Sequence, residues 1–178
     1  LILPQVSCLA AAQRSGRYWL NMKILYGVQG TGNGHITRAR MMAEAFSKHP
    51  IEVDYLFSGK DDDYFNMEPF GDYRSYPGLS FVAEKGQIKY FKTLKRNNLR
   101  KFYQDVRSLD VSAYDLVITD FEPISAWAAK LNKKYCIGIS HQNAFRYKVP
   151  VRGSNPLARI VLKWFAPATE YLGLHWHH

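Results

Sequence analysis

His35 closes a run of glycines, Gly30-Thr31-Gly32-Asn33-Gly34-His35, and two carboxylates stand far downstream in Asp120-Phe121-Glu122. An imidazole takes a proton readily near neutral pH, and a carboxylate placed behind it holds its tautomer and raises its basicity. A hydroxyl is a poor nucleophile until such a base removes its proton as the new bond forms. His35 and Asp120 are candidates for that chemistry, with Glu122 a reserve base. The structural alternative is that His35 only caps the loop and Asp120 only caps a helix. A third polar cluster, His141-Gln142-Asn143, offers the donors and acceptors that a ligand rich in hydroxyls requires, with satisfied loop polarity as the other reading.

These groups need elements to bring them together. Ile24-Leu25-Tyr26 has the length and composition of a buried strand, and Ile36, Ala39, Met42, Ala43 and Phe46 recur at helical spacing, so strand turns to helix inside the glycine loop. Gly27, Gly30, Gly32 and Gly34 remove Cβ atoms where the chain reverses and a ligand approaches the backbone, and the helix N-terminus behind them favours negative charge. Pro50 closes that helix, and Ile51–Phe57 reads as the next strand, which makes a right-handed βαβ unit. One or two short strands are expected about Lys85-Gly86, and an amphipathic helix over Phe91–Leu109 with Leu99, Phe102, Tyr103, Val106 and Leu109 on one face. Asp115–Thr119 is nearly continuous in apolar residues, the mark of a strand covered on both faces; a helix starts at Pro123, and Tyr135–Ser140 is a further strand. The fold class is therefore α/β, a Rossmann-like doubly wound parallel sheet, with His35, Asp120 and His141 at the edge where strands end.

Two familiar loop chemistries do not fit. A dinucleotide fingerprint starting at Gly30 would need glycine where His35 stands, and Ser58-Gly59 occupies the place of the ribose-binding acid. A triphosphate loop starting at Gly27 would need Lys and Ser or Thr where Asn33 and Gly34 stand.

Gly30–Ala39 and the later junction Asp115–Ala126 resemble, in that order, the first loop and a strand-to-helix junction of two-domain glycosyltransferases of the GT-B type. These are related to the lipid-linked N-acetylglucosaminyltransferase of peptidoglycan synthesis. The resemblance covers Met22 to about Arg152. It implies an inverting, metal-independent enzyme that needs no cofactor, only a nucleoside diphosphate sugar as co-substrate. It also implies that this chain is the acceptor-binding half, with His35 as base and Asp120 behind it, although the peptidoglycan members lack a matching aspartate. Gly30, Thr31, Gly32, Asn33, Gly34, His141, Gln142 and Asn143 are the implied substrate-binding residues. The donor-binding domain is missing or separate, so residues 22–178 alone are expected not to turn over. A non-catalytic module that recruits a partner to membranes is the other functional reading.

With 178 residues the chain is long enough for one domain, and its net charge of +9 implies an anionic partner. Between Lys85 and Arg107 eight Lys and Arg face one Asp, which suits either a solvated helix face or peripheral contact with an anionic membrane. The aromatics there fall at core spacing, and no nucleic-acid motif accompanies them, so nucleic acid is not an expected partner. Residues 1–21 read as a non-native or disordered extension. Their apolar part is too short to span a bilayer, and a short membrane anchor is the alternative. The two cysteines suggest no disulfide framework, and a cytoplasmic chain, peripheral at the inner face of the membrane, is expected. Asp61-Asp62-Asp63 reads as a helix cap rather than a metal site, and His175-Trp176-His177-His178 lacks acidic or thiol partners for a metal.

Overall fold

A computed structural model describes residues 22–59, 66–84, 87–88, 93, 95–147 and 163–174. The leading segment 1–21, the acidic turn 61–63, Lys85-Gly86, residues 148–162 and the terminal histidines lie outside the described residues.

Strand β1 is Met22–Gln29, β2 Ile51–Ser58, β3 Arg74–Tyr76, β6 Leu116–Asp120, β7 Cys136–Ser140 and β8 Glu170–Gly173, and these six form one sheet in the order β3-β2-β1-β6-β7-β8. Every neighbouring pair is parallel. Counting only sheet strands, this is the order 3-2-1-4-5-6 of a Rossmann fold, in which the chain reverses direction of travel between β1 and β6. The remaining strands, β4 (Ala83–Glu84) and β5 (Gln87–Ile88), pair antiparallel where one or two short strands are expected. Helix α1 spans Asn33–Phe46, α2 Leu99–Ser108 and α3 Pro123–Leu131.

Both faces of the sheet are covered because successive side chains of a strand point to opposite sides. Ile24, Tyr26 and Val28 of β1 join Ile36, Ala39 and Ala43 of α1 in one core cluster. Leu25 meets Val106, Ile124, Ala128 and Ala129 of α2 and α3 in the other. β1 sits between the two layers, with Leu25, Tyr26 and Val28 fully buried.

Several expectations shift in detail. β1 continues to Gln29, so the reversal is confined to residues 30–32, and Asn33, Gly34 and His35 form the first helical turn instead of loop. α1 starts earlier than its apolar periodicity shows because the residues of its first turn face the sheet edge and carry no apolar pattern. The helix expected over Phe91–Leu109 is interrupted: Thr93, Lys95 and Arg96 are helical, and after Asn97-Asn98 α2 starts at Leu99, where the Asn98 side chain accepts from the Lys101 backbone N–H at 3.0 Å. On its inner face Val106 and Leu109 are buried and Phe102 is half-buried, while Leu99 and Tyr103 are exposed. β3 and β8 escape sequence reading because they are the short outer strands of the sheet, and an edge strand needs no continuous apolar run.

Gly27 has a different task from the one its place in a glycine-rich stretch implied. It lies within β1, where a Cβ would stand 2.0 Å from Ser125 Oγ, 2.8 Å from Ser125 Cβ and 2.9 Å from a Glu122 carboxylate oxygen. Its missing side chain lets the first turn of α3 rest directly on β1. Strand propensity alone makes Gly→Ala favourable by roughly 0.5–1 kcal/mol. We expect the reverse here: Gly27→Ala should lower stability by about 1–3 kcal/mol through overpacking, read as a lower urea midpoint.

Candidate functional site

The site stands at the sheet edge where β1, β6 and β7 end. β1 and β6 run side by side with Val28 opposite Asp120, so the last residue of β6 emerges beside the glycine loop. Gly30 N–H donates to Ser58 O at 2.7 Å, which ties the loop to the end of β2. Thr31 is exposed, and its hydroxyl oxygen accepts from the buried Gln29 amide at 3.2 Å; the same amide donates to Leu79 O at 2.9 Å. Gly32 precedes α1 and supplies no side-chain cap, and Asn33 and Gly34 are exposed in the first turn.

His35 is buried, and its Nδ1 lies 2.7 Å from Asp120 Oδ1. A carboxylate only accepts, so Nδ1 carries the proton and Nε2 keeps its lone pair. Asp120 is itself completely shielded from water. Arg38 closes the arrangement as a fork: its Nε donates to Oδ2 and an NH2 nitrogen to Oδ1, each at 2.6 Å. The guanidinium also approaches His35 Nδ1 at 3.2 Å, a contact between two donors that carries no hydrogen bond in this tautomer. Burial alone would lower the Arg38 pKa, but the hydrogen bonds and charge of Asp120 raise it from its usual value on balance.

Beyond the imidazole, the Gln142 amide nitrogen lies 3.4 Å from His35 Nε2, long for a hydrogen bond. The exposed His141 ring faces that of His35 at 6.3 Å with 30° between planes. Partial desolvation holds His141 below the usual imidazole range, aided by His35 and Arg38 and opposed by Asp120. Asn143 does not share this site. It is buried with its backbone N–H on Ser140 Oγ at 3.1 Å, and its amide packs against Gly138 of β7.

Glu122 is also turned away. Its carboxylate caps α3, accepting from the N–H groups of Ile124 at 2.7 Å and Ser125 at 2.6 Å, and takes the Ser58 hydroxyl at 2.5 Å. Full burial pushes its pKa up against the pull of these hydrogen bonds. The reserve-base assignment therefore does not hold, because every approach to this carboxylate is occupied by the fold. Between the two acids Phe121 has φ 56°, a left-handed backbone that is costly for a bulky side chain, on the order of 1–3 kcal/mol. That turn sends Asp120 toward α1 and Glu122 toward α3, while the Phe121 ring stacks on Phe165 with centroids 4.8 Å apart.

The structure thus assembles His35, Asp120, His141 and Gln142, keeps Gly30 to Gly34 beside them, and removes Glu122 and Asn143. Sequence reasoning passed over Arg38 as a site residue. Its signal was the spacing His35-x-x-Arg38, which places both side chains on one helix face once α1 is known to begin at Asn33. Among the described residues no group of three or more His, Cys, Asp or Glu side chains could hold a metal ion. What the arrangement can do is receive a proton at Nε2, with the positive charge then formed held over a buried carboxylate.

No curated protein matches the chain. Solved structures similar to it include MurG from Acinetobacter baumannii, at 16% identity and a TM-score of 0.45, covering 86% of this chain and 44% of that one. Another is the Streptomyces sp. SF2575 glycosyltransferase SsfS6 in complex with thymidine diphosphate, at 16% identity and a TM-score of 0.43, covering 79% of this chain and 42% of that one. The chain spans less than half the length of either. Residues 22–170 match the family model described as glycosyl transferase family 1, and the chain belongs to that family.

Proposed function

We propose that this chain is the acceptor-binding half of an inverting GT-B glycosyltransferase, which passes a hexosyl group from a nucleoside diphosphate sugar to a hydroxyl of a lipid or saccharide. The observation that carries the reading is the 2.7 Å contact between His35 Nδ1 and the shielded carboxylate of Asp120 at the switch point of the sheet. An acceptor hydroxyl reaching His35 Nε2 would displace the weakly held Gln142 amide. As its oxygen attacks the anomeric carbon, its proton passes to Nε2, and the nucleoside diphosphate departs with the electron pair of the broken bond. A single displacement of this kind inverts the anomeric centre. Asp120 holds the proton of the neutral ring on Nδ1, which leaves Nε2 as the accepting atom, and offsets the imidazolium afterwards, and Arg38 holds Asp120 in register.

In this reading Thr31, Asn33, His141 and Gln142 surround the acceptor with exchangeable donors and acceptors, and the glycine loop lets its hydroxyls approach the backbone. The donor sugar is supplied by a second half, and contact with an anionic membrane at the inner face of the cell would present a lipid-linked acceptor to the basic surface of the chain. No helix among the described residues is long and apolar enough to cross a membrane.

The decisive experiment joins this chain to a donor-binding half and follows sugar transfer. His35→Ala should reduce kcat by about 10²–10⁴ while acceptor binding is retained, whereas unchanged turnover would overturn His35 as the base. Asp120→Asn should also lower kcat steeply with little change in KM, because an amide donor no longer selects the Nδ1–H tautomer. Arg38→Met leaves Asp120 buried with His35 as its remaining described partner, and we expect a stability loss of about 3 kcal/mol by urea denaturation.

A further inference from the structure

A second site lies on the opposite rim, where the strands begin. α3 runs back across the sheet from the ends of the strands, so its last turn reaches that rim. There a cavity of about 570 Å³ opens between α3, the start of β7 and the segment leading into β8. Four lysines line it, Lys130, Lys133, Lys134 and Lys163, together with Arg146 from the turn that follows β7, and no acid does. The bias belongs to the whole stretch: between Glu122 and Glu170 the chain has eight Lys and Arg and no Asp or Glu.

The way these cations are held is informative. Lys134 Nζ donates to the backbone carbonyls of Ser112 at 2.7 Å and Tyr114 at 2.8 Å. Lys130 Nζ lies 4.7 Å from the Trp127 ring and 4.8 Å from the Trp164 ring, and those indoles stand nearly parallel at 6.5 Å. The Arg146 guanidinium lies 3.6 Å over Tyr171 and donates to Lys163 O at 3.3 Å. Carbonyl dipoles and ring faces orient a cation without cancelling its unit charge. None of the ion pairs among the described residues includes Lys130, Lys133 or Lys163. The fold has therefore collected like charges around one concavity, at a Coulombic cost that an anion would remove.

We infer that this cavity is a phosphate-binding site, with Lys130, Lys133 and Lys163 as its principal charge donors and Trp164 and Tyr171 as its apolar wall. Its ligand is a phosphate or diphosphate ester, either a free organic phosphate or a lipid headgroup. The volume falls within the range of small-molecule sites, and ring faces beside the lysines suit the organic part of such an ester. The inference is independent of whether His35 is a base, because the cavity shares no residue with the cluster around His35 and Asp120.

The test is titration of the full chain with inorganic pyrophosphate by calorimetry. It is run alongside co-sedimentation with vesicles of phosphatidylcholine alone and of phosphatidylcholine containing phosphatidylglycerol. The Lys130→Gln/Lys163→Gln double variant, checked for folding by circular dichroism, should weaken the binding roughly tenfold, and His35→Ala should leave it unchanged. Pyrophosphate binding with this pattern assigns a free organic phosphate; capture only by the phosphatidylglycerol vesicles, lost in the double variant, assigns a lipid headgroup. Binding of neither probe, or binding that the double variant retains, would overturn the site. Tighter capture of a single-stranded oligonucleotide through the same lysines would overturn it in favour of nucleic acid.

Discussion

A carboxylate with no access to water is the constraint around which this molecule closes. Asp120 ends a central strand at zero exposure, where an unpaired charge would be costly by several kcal/mol. The fold answers with a fork from Arg38 and an imidazole from His35, both carried by the first turns of α1. Those contacts join residues 82 and 85 positions apart in the chain, so they can form only when β1 and β6 pair in register. The ion pair and the sheet topology therefore specify each other.

The geometry of Asp120 depends in turn on a second buried carboxylate two residues on. Glu122 is spent on the N-terminus of α3 and on Ser58, and its cap holds α3 flush against β1 where Gly27 has no side chain. Thr119 Oγ completes the junction, accepting from Glu122 N–H at 2.9 Å and donating to Glu122 O at 2.7 Å. Phe121, confined between them, takes the left-handed conformation that sorts the two acids to opposite faces. Two chemically similar groups thus acquire different partners: one is held by an imidazole and a guanidinium, and the other is locked into the scaffold.

The division just described explains what could be read from the chain and what could not. β1, β2, β6 and β7 are central strands, and burial on both faces forces continuous apolar runs that identify them without coordinates. β3 and β8 carry polar residues because an edge tolerates them. The pairing of His35 with Asp120 was legible because a parallel sheet gathers all strand ends on one rim, so two polar motifs at two such ends had few places to go. The separation of Asp120 from Glu122 was not, since it turns on one backbone torsion at Phe121 that composition does not encode. Asn143 was misread for a related reason: a three-residue polar run suggests one surface, yet a short helical turn rotates its third member inward against Gly138.

The same parallelism imposes a polarity on the whole domain. Both α1 and α3 start at the rim that holds His35, so their N–H ends face that rim and their carbonyl ends face the other. A lysine or two in the last turn of α3 is what a carbonyl end attracts, and Lys130 sits there. One helix end carries only about half an elementary charge, however. Four lysines lining a single cavity exceed what it can offset, and no acid lines that cavity with them. The surplus on the rim where strands begin is therefore not a by-product of helix orientation. It is a property of the residues chosen for that rim, as distinct from the dyad as the two rims are from each other.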